Sequence, residues 1–292
     1  MNFNVLTPKT AEELRQNILD CQGKNFRFGA GYTDLLPELK KHSENDLLII
    51  NLAQLDDPDF SSVSSSQSTL SIGSMVTANM VVRDKRIRRD YPVLYQAALS
   101  HGSKQIRQTA TVGGNLCTAS PAGDMACALM ALQARCEILS SDGSARIIPL
   151  GEFFKGVRKT DLNDDEVLRR IIINAGGAPA DTHSGFIKIG TRRSMECAVL
   201  SLAYHIQTDG EHLVTDAGIA IGSMAPTIKF CHSAADFLIG QDFSDVESDQ
   251  AEKFADKVLE YASPITDIRA SAWYRSQTLH NISKTIFSPN NR

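Results

Sequence analysis

Two glycine-bearing turns hold the residue types from which an anion-binding site is built. One is Gly29-Ala30-Gly31-Tyr32-Thr33-Asp34, and the other is Thr109-Ala110-Thr111-Val112-Gly113-Gly114-Asn115-Leu116. Glycine lets a backbone turn with positive φ or approach a ligand closely, and N–H groups left open in such turns form an anion nest. Thr33, Thr111 and Asn115 add hydroxyl and amide donors at the same turns. Two loops of this kind suit a pyrophosphate held between them. Neither reads GxGxxG or GxxxxGK[ST], which argues against a Rossmann dinucleotide fingerprint and against a P-loop. Taken singly, each also reads as a tight turn with no ligand.

Other chemistry is sparse. No nucleophile or acid–base pair stands out, so no catalytic residue is assigned. Cys21, Cys117, Cys127, Cys136, Cys197 and Cys231 form no CxxC pair and lack zinc or iron–sulfur spacing. They read as small, mostly buried residues, and no metal is expected. The basic run Lys85-Arg86-Ile87-Arg88-Arg89 reads as a solvated helix face or loop, with phosphate or partner docking as the sharper alternative.

The turns need elements to position them. Thr10 and Glu13 have capping-box spacing ahead of a helix with Leu14, Ile18 and Leu19 on its apolar face. Phe26-Arg27-Phe28 predicts a strand running into the first turn, and a helix starts near Asp34 with Leu35, Leu36 and Leu39 inside. Leu47 to Leu52 reads as a buried strand. Asp57-Pro58 and the serines between Ser61 and Ser68 mark a loop and a subdomain boundary. A strand at Leu70 to Gly73, a helix capped by Thr77 and another from Pro92 to Ser100 lead to the second turn. Asp124 to Ala134 is rich in helix formers, and a hairpin follows around Ser141-Asp142-Gly143. Leu200, Leu202, Tyr204 and Ile206 then alternate with smaller or polar residues, Asp209-Gly210 turns the chain, and Leu213 to Ile221 returns. Amphipathic stretches at about 248–262 and 270–286 end it. The fold class is α+β, with α/β units first and then an antiparallel sheet carrying helices on one face.

Length and composition agree. The chain has 292 residues, roughly two domains' worth at about 150 each. Hydrophobic residues at 42% and charged residues at 22% exclude a mainly disordered chain. A formal net charge of −4 lacks the basic footprint of a nucleic-acid binder. No apolar run reaches about 18 residues, and Met1 to Thr10 has no signal-peptide pattern, so a cytoplasmic location away from membranes is expected.

Together the turns are more specific than either alone. Thr111-Val112-Gly113-Gly114-Asn115-Leu116-Cys117-Thr118-Ala119-Ser120-Pro121-Ala122-Gly123-Asp124, led by Lys104-Gln105-Ile106-Arg107, resembles the flavin-binding signature of the molybdenum hydroxylases. That family includes xanthine, carbon monoxide and nicotinate dehydrogenases. Ala30-Gly31-Tyr32-Thr33-Asp34-Leu35 resembles its other pyrophosphate loop, A-G-G-T-D-L, with Tyr32 in place of the second glycine. Weaker likenesses follow in order at Asp165-Glu166-Val167-Leu168, Phe186-Ile187-Lys188, Arg192-Arg193, Ala225-Pro226-Thr227 and Trp273-Tyr274-Arg275.

The resemblance implies two α/β FAD-binding subdomains of the PCMH type, residues 1–57 and 58–178, and a C-terminal α+β domain, residues 179–292. It implies FAD as cofactor, with Ala30, Gly31, Tyr32, Thr33 and Asp34 facing Thr111, Val112, Gly113, Gly114 and Asn115 across the pyrophosphate. Asp124 would accept from a sugar or ribityl hydroxyl, and Leu168 and Lys188 would lie near the flavin or adenine end. The competing structural readings are a helix cap for Asp124, strand core for Leu168 and an exposed strand lysine for Lys188. His101 falls where some relatives have an aromatic residue facing the flavin, and also reads as a surface histidine. Tyr32 cannot adopt glycine-only angles cheaply, and its ring has room over or beside the cofactor. The implied function is an FAD-carrying electron-transfer subunit. Its partners would be a molybdopterin-binding large subunit and a 2Fe-2S small subunit, with NAD⁺ or another acceptor taking the electrons. A free-standing FAD oxidoreductase and a non-enzymatic assembly module are the alternatives.

Overall fold

A chain that opens strand–helix–strand–helix–strand can make a small parallel sheet only by laying its helices across the crossovers. The structure, a computed structural model, describes residues 3–42, 44–174, 181–192 and 195–288. Arg193 and the junction expected at 178/179 lie outside the described residues. β1 (Phe3–Leu6), α1 (Ala11–Cys21), β2 (Phe26–Gly29), α2 (Leu35–Lys41) and β3 (Leu47–Asn51) form the first unit, with β3 in the middle of the order β1-β3-β2. Leu14 and Ile18 of α1 are fully buried with Ile50 of β3. The capping box forms by half. Thr10 accepts from the Glu13 N–H at 3.1 Å, but the Glu13 carboxylate reaches past Thr10 to the Lys9 N–H at 2.7 Å.

The second unit comprises α3 (Pro58–Ser61), β4 (Val63–Ser65), β5 (Thr69–Gly73), α4 (Ala78–Arg83), α5 (Lys85–Asp90), α6 (Pro92–Ser100), α7 (Lys104–Thr109), α8 (Val112–Cys117) and α9 (Asp124–Ala131). It continues with β6 (Arg135–Ser140), β7 (Ala145–Pro149), α10 (Leu150–Phe153), the small hairpin β8 (Phe154–Gly156) and β9 (Lys159–Thr160), and β10 (Glu166–Asn174). Its five-stranded antiparallel sheet runs β4-β5-β10-β6-β7. The serine-rich stretch expected to be a loop holds α3 and β4. Asp57 accepts from the Asp59 N–H at 2.8 Å to start the turn, and Val63 pairs with Ile72. Serines are tolerated there because β4 is an edge strand with one side in water. In α5 the basic run is largely self-paired: Arg86 with Asp84 and Arg89 with Asp90, both at 2.6 Å, while Arg88 lies over the Tyr95 ring.

The third unit is an antiparallel sheet in the order β11-β12-β13-β14, made of β11 (Asp181–Ile189), β12 (Leu200–Thr208), β13 (Val214–Gly222) and β14 (Lys229–Phe230). α11 (His232–Leu238), α12 (Ser248–Leu259) and α13 (Ala272–Lys284) complete it. The expected single helical face is only half of the arrangement. Leu200, Leu202, Tyr204 and Ile206 join the core of the C-terminal helices, but Ala203 and its partner Ala220 join the core of the second unit. α9, buried at all eight positions, packs on β12 and β13. Small residues let it come close: a Cβ on Gly218 would lie 1.8 Å from the Ala131 carbonyl oxygen. Among the described residues no helix is long and apolar enough to cross a membrane.

His205 on β12 fixes the same seam. Its Nδ1 lies 3.1 Å from the Ser184 hydroxyl, which accepts from the Val93 N–H at the start of α6, and its ring stacks near Tyr91. Burial holds the ring neutral, moving its pKa from the ordinary 6.5 down to about 4. Between these two values the unfolded chain takes up a proton that the folded chain refuses. This contribution to stability is complete above pH 6.5 and is lost as pH falls to 4, at most about 3 kcal/mol. Urea midpoints at pH 7 and pH 4.5 should show a smaller loss for His205→Gln than for the parent chain. Equal losses in both proteins would remove His205 as the cause.

Candidate functional site

The two glycine turns meet backbone to backbone. A Cβ on Gly31 would lie 2.0 Å from the Thr109 carbonyl oxygen and 3.1 Å from the Ala110 Cα. Beside this contact, the Thr118 hydroxyl at the end of the second turn donates to Asp34 Oδ2 at 3.4 Å. Arg158, from the β8–β9 hairpin, pairs with the same oxygen at 2.9 Å and with Glu38 at 3.5 Å. The first and second units thus join at these turns. Arg158 carried no sequence signal, because only the fold brings its hairpin to residue 34; its half-exposed guanidinium offsets the Asp34 charge at a place suited to a phosphate.

The turns play different parts. At the second, Thr111 caps α8 and the chain is already committed: the N–H groups of Val112, Gly113, Gly114 and Asn115 donate to Val76 O, Ser74 O, Thr111 Oγ1 and Thr111 O, at 2.8–3.0 Å. Neither Gly113 nor Gly114 has a positive φ. Gly113 is required for packing, since a Cβ there would lie 2.5 Å from the Ser74 Cβ. At Gly114 a would-be Cβ would lie 2.8 Å from Thr111 Oγ1, a side-chain atom, and meet no backbone from outside α8 within 4 Å. The expectation of an open amide nest therefore fails here, and the Thr-x-x-Gly spacing of an N-cap was the signal for it. Asn115 accepts from the Ala126 N–H at 3.0 Å through Oδ1, which leaves its amide nitrogen as a donor.

The first turn has what the second lacks. Among the described residues, the N–H groups of Gly31, Tyr32, Thr33 and Asp34 meet no acceptor. Tyr32 sits in the left-handed region at φ 59°, where the resemblance expected glycine. Successive open N–H groups around a left-handed residue are the arrangement of an anion nest. For a residue with a Cβ this conformation costs about 1 kcal/mol. The ring offsets it by folding back over Gly29, where a Cβ would lie 2.4 Å from the tyrosine ring, and by packing against Leu39, Leu47 and Ile49. That burial pushes the Tyr32 phenol pKa up. Ala30, half-buried, leads from β2 into the turn.

Asp124, Lys188 and His101 meet beyond the second turn. Lys188 Nζ lies 2.8 Å from Asp124 Oδ2 and 3.4 Å from the Ser100 carbonyl oxygen; His101 Nδ1 is 3.6 Å from the same carboxylate oxygen. Lys188 is buried, not an exposed strand lysine, and His101 is largely covered, not a free surface histidine. Asp124 does not cap α9: Gly123 occupies the cap position, and the side chain that closes this helix start is Asn115, through the Ala126 N–H. The other carboxylate oxygen, Oδ1, is buried without a partner. Leu168 has its side chain in the core of the second sheet with Ile138 and Ile171, as the strand reading has it. A cavity of about 330 Å³ opens elsewhere, between residues 23–28 and 162–166, and contains none of these side chains.

The arrangement offers open amides and a cation for a phosphate, a glycine at residue 114 without a side chain of its own, and a buried acceptor with no protein donor. An orphaned acceptor of this kind fits a ligand hydroxyl. These features fit FAD, whose pyrophosphate and sugar or ribityl hydroxyls need both.

Comparison with known proteins agrees with that chemistry. Residues 1–174 match the family described as FAD binding domain in molybdopterin dehydrogenase, and residues 186–288 match the CO dehydrogenase flavoprotein C-terminal domain. The glyceraldehyde dehydrogenase medium chain of Sulfolobus acidocaldarius is 28% identical over 278 residues, covering 95% of each chain. The nicotinate dehydrogenase FAD-subunit of Eubacterium barkeri is 28% identical over 291 residues, covering 98% of this chain and 95% of its own. Among solved structures, quinoline 2-oxidoreductase from Pseudomonas putida 86 superposes with a TM-score of 0.86 at 26% identity, covering 98% of this chain and 96% of that one.

The contrast between the glycines is testable. Gly114→Val should cost no more than the loss of a helix cap, about 0.5–2 kcal/mol, since the added Cβ would press at 2.8 Å on the Thr111 hydroxyl that caps α8, yet weaken FAD binding by at least about tenfold. Gly31→Val should destabilise the fold itself, because the Thr109 backbone cannot give way. Differential scanning fluorimetry and flavin fluorescence titration read the two effects. Full FAD affinity in Gly114→Val would take residue 114 out of the site.

Proposed function

Because the chain belongs to the family of FAD-binding domains in molybdopterin dehydrogenases, we propose that it serves as the FAD-carrying, electron-transfer subunit of a molybdenum-containing hydroxylase or dehydrogenase. A large molybdopterin-binding subunit would oxidise the substrate. A 2Fe-2S small subunit would relay the electrons, and NAD⁺ or another acceptor would receive them from this chain. Residues 1–57 and 58–178 are proposed to clasp the cofactor, with residues 179–292 closing one side. FAD, when bound, supplies the redox chemistry, and the protein supplies binding, orientation and electrostatics.

The observation that carries this reading is the uncommitted hydrogen-bonding capacity at the junction of the units. The N–H groups of Gly31 to Asp34 are proposed to hold the pyrophosphate. Arg158 would balance its charge, Gly114 and the Asn115 amide would flank it, and Asp124 Oδ1 would take a hydroxyl of the sugar or ribityl chain. Tyr32 contributes its backbone, since its ring is turned into the first unit. Leu168 would support the site from within the sheet.

The reading makes substrate oxidation dependent on partners. The full chain, purified alone and loaded with FAD, should show no flavin bleaching when mixed anaerobically with heterocycles, aldehydes or nicotinate, whereas NADH should reduce the flavin slowly. Rapid bleaching by any of the first three would overturn the subunit proposal and favour a free-standing oxidoreductase.

A further inference from the structure

Between Phe60 and Gly123 the chain holds seven lysines and arginines and only two acids, Asp84 and Asp90. This span is net +5 in a chain of net −4, which leaves net −9 on the rest. Both acids are already taken, by Arg86 and Arg89 at 2.6 Å. Arg107 donates to the His101 and Gly102 carbonyls, which are neutral. Arg83, Lys85, Arg88 and Lys104 stand exposed, and among the described residues none of them pairs with a carboxylate. Their helices are neighbours: α4 packs on α6 and α7, and α5 packs on α4 and α6. Lys85 and Lys104 are the first residues of α5 and α7, where the helix dipole disfavours a cation. A charge kept against its own helix and without a partner breaks a local rule, as functional surfaces do. Met80 and Leu99, 41% and 44% exposed, add apolar area on α4 and α6. α7 carries this face up to the cofactor junction. Its last residue, Thr109, meets Gly31, and His101, three residues before Lys104, approaches Asp124 at 3.6 Å.

Resting on the FAD reading above, we propose that this basic face docks an acidic one-electron carrier protein, which takes the electrons of the flavin. One FADH2 is oxidised to FAD, two molecules of oxidised carrier gain one electron each, and two protons pass to water. Four cations spread over three helices fit an extended partner surface, whereas a small anion needs a concave pocket. The phosphates of a nucleic acid would meet the net −9 of the remaining chain. The same chemistry separates this acceptor from a permanent partner subunit. Permanent interfaces are large and apolar, and the large apolar residues of greatest exposure, Ile265, Ile268 and Trp273, lie on the C-terminal unit instead. Redox encounters are small, and complementary charge raises the rate at which the partners meet.

Two one-electron carriers of opposite charge test this: plastocyanin, which is acidic, and cytochrome c, which is basic. The full chain without FAD is first titrated with oxidised plastocyanin by surface plasmon resonance. Its affinity should fall at least about tenfold between about 10 mM and about 200 mM salt. At the lower salt, Lys85→Glu combined with Lys104→Glu should weaken it at least about tenfold. Both helices tolerate that exchange, because a carboxylate suits a first turn. The same charge change at Lys253 and Lys257 of α12 should alter the affinity less than about twofold. The FAD-loaded chain, photoreduced anaerobically, is then mixed with each carrier in a stopped-flow cell. At low salt the parent should reduce plastocyanin at least about tenfold faster than cytochrome c, and the Lys85→Glu, Lys104→Glu chain should lose that preference. Unchanged plastocyanin affinity in this variant, or no preference between carriers in the parent, would overturn the proposal. Tighter binding of duplex DNA than of plastocyanin at the higher salt would overturn it as well. So would a variant slowed only in its reduction by NADH, which would assign the face to a dinucleotide. A parent chain that docks plastocyanin on this face yet binds no FAD defeats the functional reading, and the electron transfer with it, but not the docking.

Discussion

The close approach of Gly31 to the Thr109–Ala110 backbone is the constraint on which the site depends. Only a residue without a Cβ can stand 2.0 Å, by Cβ reckoning, from a carbonyl oxygen. Because it does, a turn at the carboxyl end of β2 in one unit is locked to the turn that begins α8 in another. The first turn brings open N–H groups and the second brings a packed wall whose N–H groups from Val112 to Asn115 are already bonded. An anion held at this junction touches both units at once, so binding and the mutual position of the units are linked.

A second seam extends the same logic toward the C-terminal unit. α9 is buried on every side because it lies between the second unit's helices and the inner face of the β11–β14 sheet, where Ala203, Gly218 and Ala220 leave it room. Asp124 opens that helix and Lys188 comes from that sheet, so the ion pair is the polar counterpart of the packing seam. His205 and Ser184 reinforce it at α6. The two charges are affordable inside the protein because each satisfies the other and the ammonium also meets a helix end.

Much of this was legible in the sequence, for identifiable reasons. The strand–turn–helix order around Gly29 to Asp34, the β12 alternation and the helix beginning at Asp124 follow from periodicity and turn residues, which are local properties. The long motif from Thr111 to Asp124 pointed to the family. What escaped was set by contacts distant in the chain. The second turn looked like an open nest because its glycines are visible and the acceptors at Ser74 and Val76 are not. Tyr32 looks like an obstacle to a glycine conformation, but the missing side chain at Gly29 leaves its ring a place to pack and the backbone adopts φ 59°. β4 read as a loop because an edge strand tolerates serine. The reading of Lys188 as an exposed strand lysine, which stood beside its place near the flavin or adenine end, fails because alternation in a strand does not reveal that both faces of the sheet are covered. Arg158 was invisible for the same kind of reason: its hairpin reaches Asp34 only in the folded chain.

The most direct test of the account is stoichiometric. The full chain, stripped of any bound flavin and titrated with FAD, should quench flavin fluorescence to an end point of one FAD per chain and turn yellow after removal of excess ligand. Acid or heat should then release intact FAD into the supernatant, since no covalent attachment is expected. A folded chain that stays colourless at saturating FAD, or that binds free riboflavin as tightly as FAD, would contradict a site built around the open amides at Gly31 to Asp34.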